Sequence, residues 1–164
     1  MSEKVYNVLF ICTHNSARSI IAEGLMNHLG SPRFRAFSAG SHPAGAVQPE
    51  ALRVLANLQM PTNGFRSKDW LEFSRADAPP LDFVFTVCDK AAGEVCPVWP
   101  GQPMTAHWGV ADPAAVAGSD AQKARAYEDT AIVLKRRIEL MLALPLASLD
   151  RLALQRELRE IGTR

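Results

Sequence analysis

The 164-residue chain is 48% hydrophobic and 21% charged, which suits one domain with a sizeable core and excludes wholesale disorder. Its formal net charge of +1 gives no global field that would draw it to nucleic acid or a membrane surface, and neither is expected as a partner. Three cysteines without a Cys-x-x-Cys pair argue against a secreted disulfide framework and a zinc site, and no apolar run is long enough to span a bilayer, so a cytoplasmic location is expected.

Val5–Ile11, VYNVLFI, reads as a strand buried on both faces of a parallel sheet. A loop from Cys12 to Ser16 follows, and Ala17, Ile20, Ile21, Leu25, His28 and Leu29 then recur at helical spacing until Gly30 and Pro32. Arg33–Ser38 fits a second strand ending at Ala39-Gly40, and Pro49–Leu58 a helix with proline at its start. Asp82–Val87, DFVFTV, is the next core strand. Residues 97–120, rich in proline and glycine, read mostly as loop. Ala121–Ala143 carries an amphipathic stripe, and Ser148 is the expected cap of a last helix that uses Leu149, Leu152, Leu158 and Ile161 and closes at Gly162. The expectation is an α/β fold: a single-domain parallel sheet flanked by helices over residues 1–145, with an extra C-terminal helix in 146–164.

The stretch Cys12-Thr13-His14-Asn15-Ser16-Ala17-Arg18-Ser19 carries the chemistry. It places a cysteine at a strand end and an arginine at a helix start, with five residues between them. Main-chain N–H groups of Thr13, His14, Asn15, Ser16 and Ala17 can converge on one point, where the helix dipole adds positive charge. Arg18 supplies a planar fork for two oxygens of a tetrahedral anion. The same field is expected to lower the Cys12 pKa below the ~8.5 of a free thiol, with Ser19 donating to the thiolate. Asn15 suits a left-handed backbone position. Cys88 ends DFVFTV and in a parallel sheet falls on the same edge as Cys12, which leaves it a buried strand-end thiol or an exchange partner.

CTHNSARS resembles the phosphate-binding loop of the low-molecular-weight protein tyrosine phosphatases. Ala22-Glu23-Gly24 and Ser38-Ala39-Gly40 resemble segments of their relatives, the thioredoxin-coupled arsenate reductases. The likeness continues through FTVCDKAAGEVCP (Phe85–Pro97) and HWGVADP (His107–Pro113). The resemblance implies attack of Cys12 on arsenate, with Asp112 as general acid. A relay then passes a disulfide from Cys12–Cys88 to Cys88–Cys96, for reduction by a thioredoxin or glutaredoxin-type partner. His107-Trp108-Gly109 would anchor the acid loop. No tightly bound cofactor is implied, although some family members hold potassium at positions matching Asn15, Glu23, Ser38 and Asp69.

This sequence departs from the families in three places. Ala114, Ala115 and Val116 follow Asp112-Pro113 where the phosphatases carry aromatic residues for a phosphotyrosine ring, which favours reduction over the alternative, a phosphatase for phosphotyrosine or small phosphate esters. Seven residues separate Cys88 from Cys96, one more than expected, which leaves the reductant open. Ala17 replaces a loop cysteine, so an intramolecular partner for Cys12 would have to be Cys88 or Cys96.

Overall fold

The computed structural model describes residues 4–89, 93 and 99–164. Four parallel strands, β1 (Tyr6–Ile11), β2 (Phe34–Ala39), β3 (Phe83–Thr86) and β4 (Met104–His107), form one sheet in the order β2-β1-β3-β4. Four α-helices accompany it among the described residues: α1 (Arg18–Leu29), α2 (Pro49–Asn57), α3 (Asp120–Leu142) and α4 (Arg151–Ile161). β1 is central and Val8–Ile11 are fully buried, as a continuous apolar run requires when both faces of a strand are covered. β1 is in register with β3 through Ile11 and Thr86, and the ladder continues one step further through the Val87 N–H to the Ile11 carbonyl at 2.8 Å. The C-terminal ends of β1 and β3 therefore lie side by side; β1 leads directly into Cys12, and β3 reaches Cys88 one residue further on, after Val87.

Two elements differ from the sequence expectation. The 97–120 segment contains β4, which among the described residues pairs only with β3 and lacks the apolar run that marks a doubly covered strand. The last helix begins at Arg151, because the Asp150 carboxylate, not Ser148, accepts its N-terminal bond, from the Ala153 N–H at 2.7 Å. Ser148 instead lies in a turn, its N–H donating to the Pro145 carbonyl at 2.9 Å. At α3, a reciprocal Ser119–Gln122 capping box sets the start.

The C-terminal helix packs on the same core as the rest of the chain. Leu154, Leu158 and Ile161 are buried, and Gln155 Nε2 donates to the Thr105 carbonyl of edge strand β4 at 2.6 Å. Trp108 joins the two. Its ring lies 3.9 Å from Phe85, nearly parallel, and its Nε1–H donates to the Leu158 carbonyl at 2.9 Å. From the other side, buried Arg137 of α3 donates from one Nη to the carbonyls of Trp108 at 2.7 Å and Gly109 at 3.0 Å. His107-Trp108-Gly109 is thus pinned by two helices three residues ahead of Asp112. Trp108→Ala is expected to cost about 3–5 kcal/mol in urea unfolding, since it removes a fully buried indole and its bond; a loss below about 1 kcal/mol would show that this anchor is dispensable.

Candidate active site

The turn from β1 to α1 is held from outside by its neighbours. Asn15 takes φ 49°, the left-handed conformation that lets the chain double back. Its amide bonds in two directions: Nδ2 donates to Ser19 Oγ at 2.8 Å, and Oδ1 accepts the Lys68 N–H at 2.9 Å. The loop carbonyls are engaged by a second layer of chain. His42 N–H donates to the Thr13 carbonyl at 2.8 Å, Ala44 N–H to His14 at 3.0 Å and Gln48 N–H to Ser16 at 2.8 Å. Gly40 makes this layering possible, because a Cβ there would sit 2.5 Å from the Thr13 carbonyl oxygen and 2.8 Å from that of Cys12. With carbonyls turned to the second layer and no side chain capping α1, the loop has the features of an anion cradle.

The cradle opens to a cleft of about 260 Å³ that brings together Cys12, Arg18 and Asp112, with Ala44, Gln48 and Ala114 also on its wall. Arg18 reaches across to the acid loop: one Nη donates to the Val110 carbonyl at 3.1 Å, and the other lies 3.7 Å from Asp112 Oδ2. Its Nε–H is buried without a partner, a donor poised for an oxyanion and costly to leave unmet. Asp112 Oδ1 accepts the Ala114 N–H at 2.9 Å, which sets the carboxylate at the start of a short 3-10 turn, Pro113–Ala115. Ser19 is fully buried and accepts from Asn15, so its hydroxyl hydrogen must point elsewhere.

Cys12 and Cys88 are both buried at the C-terminal ends of neighbouring strands, close enough for the Cys88 sulfur to act on the Cys12 thiol. Cys88 Sγ also accepts the Thr13 N–H at 3.3 Å and lies 3.4 Å from Thr13 Oγ1. The Cys12 thiol is consequently pushed well above its ordinary range, first by Cys88 and then by burial, while the Arg18 charge and the His14 N–H pull it down. This reverses the expectation of a lowered pKa. The cradle field is present, but a second thiol competes for the same proton. Cys96 lies outside the described residues. His107 bridges Thr86 Oγ1 at 2.8 Å and Asp89 Oδ1 at 2.7 Å, tying the residue after Cys88 to β4.

The four residues matched to a potassium site do not converge on one ion. Asn15 Oδ1 is taken by the Lys68 N–H, and Asp69 Oδ1 caps its own turn through the Leu71 N–H at 2.8 Å. Ser38 Oγ donates to Glu23 Oε1, and both face the Lys68 ammonium, at 3.5 Å and 3.9 Å respectively. Burial pushes the Glu23 carboxyl up and the Lys68 ammonium down, each opposed by the other's charge. A cation is already supplied there by the chain, so the set does not fit potassium.

Lys68, Arg137, Ala44 and Gln48 were not singled out by the sequence. Gln48 was open to detection, since it precedes the proline that starts α2 and so had to end a loop of constrained path. Lys68 and Arg137 had no such signal, because an isolated basic residue usually faces water.

A model of the low molecular weight phosphotyrosine protein phosphatases matches residues 7–156. The chain belongs to that family. Within it, an arsenate reductase of Shouchella clausii is 32% identical over 123 residues, 75% of this chain and 84% of the relative. One of Oceanobacillus iheyensis is 28% identical over 140 residues, 85% and 96% of the two chains. A solved arsenate reductase in the phosphate binding state superposes with a TM-score of 0.69 at 27% identity, covering 85% of this chain and 98% of that one. A thioredoxin-dependent arsenate reductase of Corynebacterium glutamicum gives a TM-score of 0.56 at 26% identity, over 85% of this chain and 65% of its own. Among the described residues of this family member, no helix is long and apolar enough to cross a membrane.

The raised Cys12 pKa has a consequence for stability. The unfolded chain loses this proton near the ordinary 9.0, whereas the folded protein keeps it, so the contribution is complete below that pH and is lost as pH rises above it. Urea unfolding between pH 8 and about 10.5 is therefore expected to show a steeper alkaline loss for the wild type than for Cys12→Ser. Parallel curves would show that the thiol is not held protonated by the fold.

Proposed function

We propose that this chain is an arsenate reductase working through a three-thiol relay. The observation that carries the proposal is the placement of Cys12 and Cys88 at the paired ends of β1 and β3, with Cys88 Sγ 3.3 Å from the Thr13 nitrogen, beside the unpartnered Nε–H of Arg18. A phosphatase needs the first thiol and the arginine; a reductase needs a second thiol within reach of the first. The names of the relatives support the same reading, and the Corynebacterium glutamicum neighbour supports an external dithiol of the thioredoxin class as reductant.

Arsenate enters the cradle with oxygens on Arg18 and on the loop N–H groups. Moving Cys88 off Cys12 removes the largest influence that holds the Cys12 proton, leaving Arg18 and the His14 N–H to favour the thiolate. Cys12 Sγ then forms a bond to arsenic as an arsenic–oxygen bond breaks, and Asp112, as general acid, passes a proton to the leaving oxygen. The Cys88 thiolate, with the Thr13 N–H to stabilise its charge, attacks Cys12 Sγ. The sulfur–arsenic bond breaks with its electron pair on arsenic, so arsenic(V) leaves as arsenite and two thiols become one disulfide. Cys96 attacks Cys88 and frees Cys12, and the external dithiol reduces the Cys88–Cys96 disulfide. Ala114 on the cleft wall offers no aromatic surface for a phosphotyrosine ring.

Arsenate-dependent NADPH oxidation, coupled through thioredoxin or glutaredoxin and their reductases, is expected for the wild type. It should be abolished in Cys12→Ser, reduced about 10²-fold or more in Asp112→Asn, and lost as multiple turnover in Cys88→Ser and Cys96→Ser. Turnover that survives both relay substitutions would sink the three-thiol route. Robust aryl phosphate hydrolysis without arsenate turnover would replace the reductase reading with the phosphatase one.

A further inference from the structure

The mismatch with a potassium site identifies what stands in its place. Lys68 has a side chain only 9% exposed, and its ammonium meets three oxygens: the Arg66 carbonyl at 2.9 Å, Ser38 Oγ at 3.5 Å and Glu23 Oε1 at 3.9 Å. Its own N–H holds Asn15 Oδ1, so one residue ties the buried carboxylate to the left-handed corner of the cradle. We propose that Lys68 is the fixed monovalent cation of the oxyanion loop, a positioning residue whose ammonium neutralises Glu23 and frees the loop from any need for potassium. A tethered ammonium costs no binding entropy and does not dissociate, and its charge is cancelled locally by Glu23. Its influence on the oxyanion therefore runs through Asn15 and the loop path, not through a long-range field.

Removing the ammonium should recreate the demand for an ion. Lys68→Met keeps the stem and leaves Glu23 buried without a counter-charge. A cleft of about 420 Å³, lined by Glu23, Gly24, Asn27 and residues from Pro61 to Phe65, opens next to that carboxylate and gives a small cation a route in. The proposal stands on the loop geometry and not on which oxyanion is turned over, so it can be tested without arsenate.

Inorganic phosphate binding by calorimetry and thermal unfolding would be measured in potassium chloride and in choline chloride at equal ionic strength. The wild type is expected to behave alike in both salts. Lys68→Met should bind phosphate about tenfold more weakly in choline, and potassium should recover much of that loss and raise its Tm. A saturable, potassium-specific rise in the wild-type Tm would overturn the proposal, as would Lys68→Met binding phosphate like the wild type in both salts. If Lys68→Met does not fold, Lys68→Arg decides: indifference to potassium supports the fixed cation, and a potassium requirement overturns it.

Discussion

The side-chain amide of Asn15 is the contact on which the site rests. A chain leaving β1 and entering α1 has six residues, Cys12 to Ala17, in which to reverse direction and aim its N–H groups at one point. That requires a left-handed residue, which costs an ordinary side chain about 1 kcal/mol or more. Asn15 adopts it and secures it at both ends, to Ser19 inside α1 and to the Lys68 main chain outside. The corner is thereby joined to the segment that carries the buried Lys68–Glu23 pair. Gly40 closes the assembly by letting the end of β2 pass against the loop carbonyls. Cradle, brace and charge pair form one unit, and a change in any of them is felt at the sulfur of Cys12.

The charged groups of the site are arranged so that the fold holds several in partly unmet states. Arg18 has two of its nitrogens placed toward the acid loop and its Nε unpartnered. Cys12 is held protonated by Cys88 and by burial. Arg137 is buried, its charge spread over the carbonyls of Trp108 and Gly109 and the main-chain oxygen of Arg164. In the proposed reaction an oxyanion in the cradle meets the Arg18 Nε–H, and movement of Cys88 releases the Cys12 proton. The third is structural: carbonyl dipoles offset the burial of a guanidinium, and the run before Asp112 is fixed in return.

Those features that depend on short-range order were legible in the sequence. VYNVLFI announced a doubly covered strand, CTHNSARS a turn between strand and helix, and Asn15 the residue able to occupy its corner. The placement of Cys88 beside Cys12 followed from parallel topology alone. What could not be read depends on partners far apart in the chain. β4 is an edge strand of four residues whose identity comes from pairing with β3, not from its own pattern. Asp150 displaced Ser148 as a cap because a turn at Pro145 set the entry to the helix. The loop taken without Cys88 predicts a lowered Cys12 pKa, which the neighbouring thiol reverses, and nothing local distinguishes a buried lysine such as Lys68 from a solvated one.

Parallel strands lie about 4.8 Å apart, and a disulfide needs its Cα atoms within about 7 Å. Two cysteines following the matched ends of β1 and β3 fall near that range without any contribution from a flexible loop. The spacing of the two thiols is thus a property of the sheet ladder. Misaligning the thiols would require β1 to slip against β3, and a slip of one residue would turn Val8 to Ile11 onto opposite faces of the core. The two sulfurs are therefore indexed by the least deformable part of the fold, and large change in the surrounding loops leaves that spacing intact.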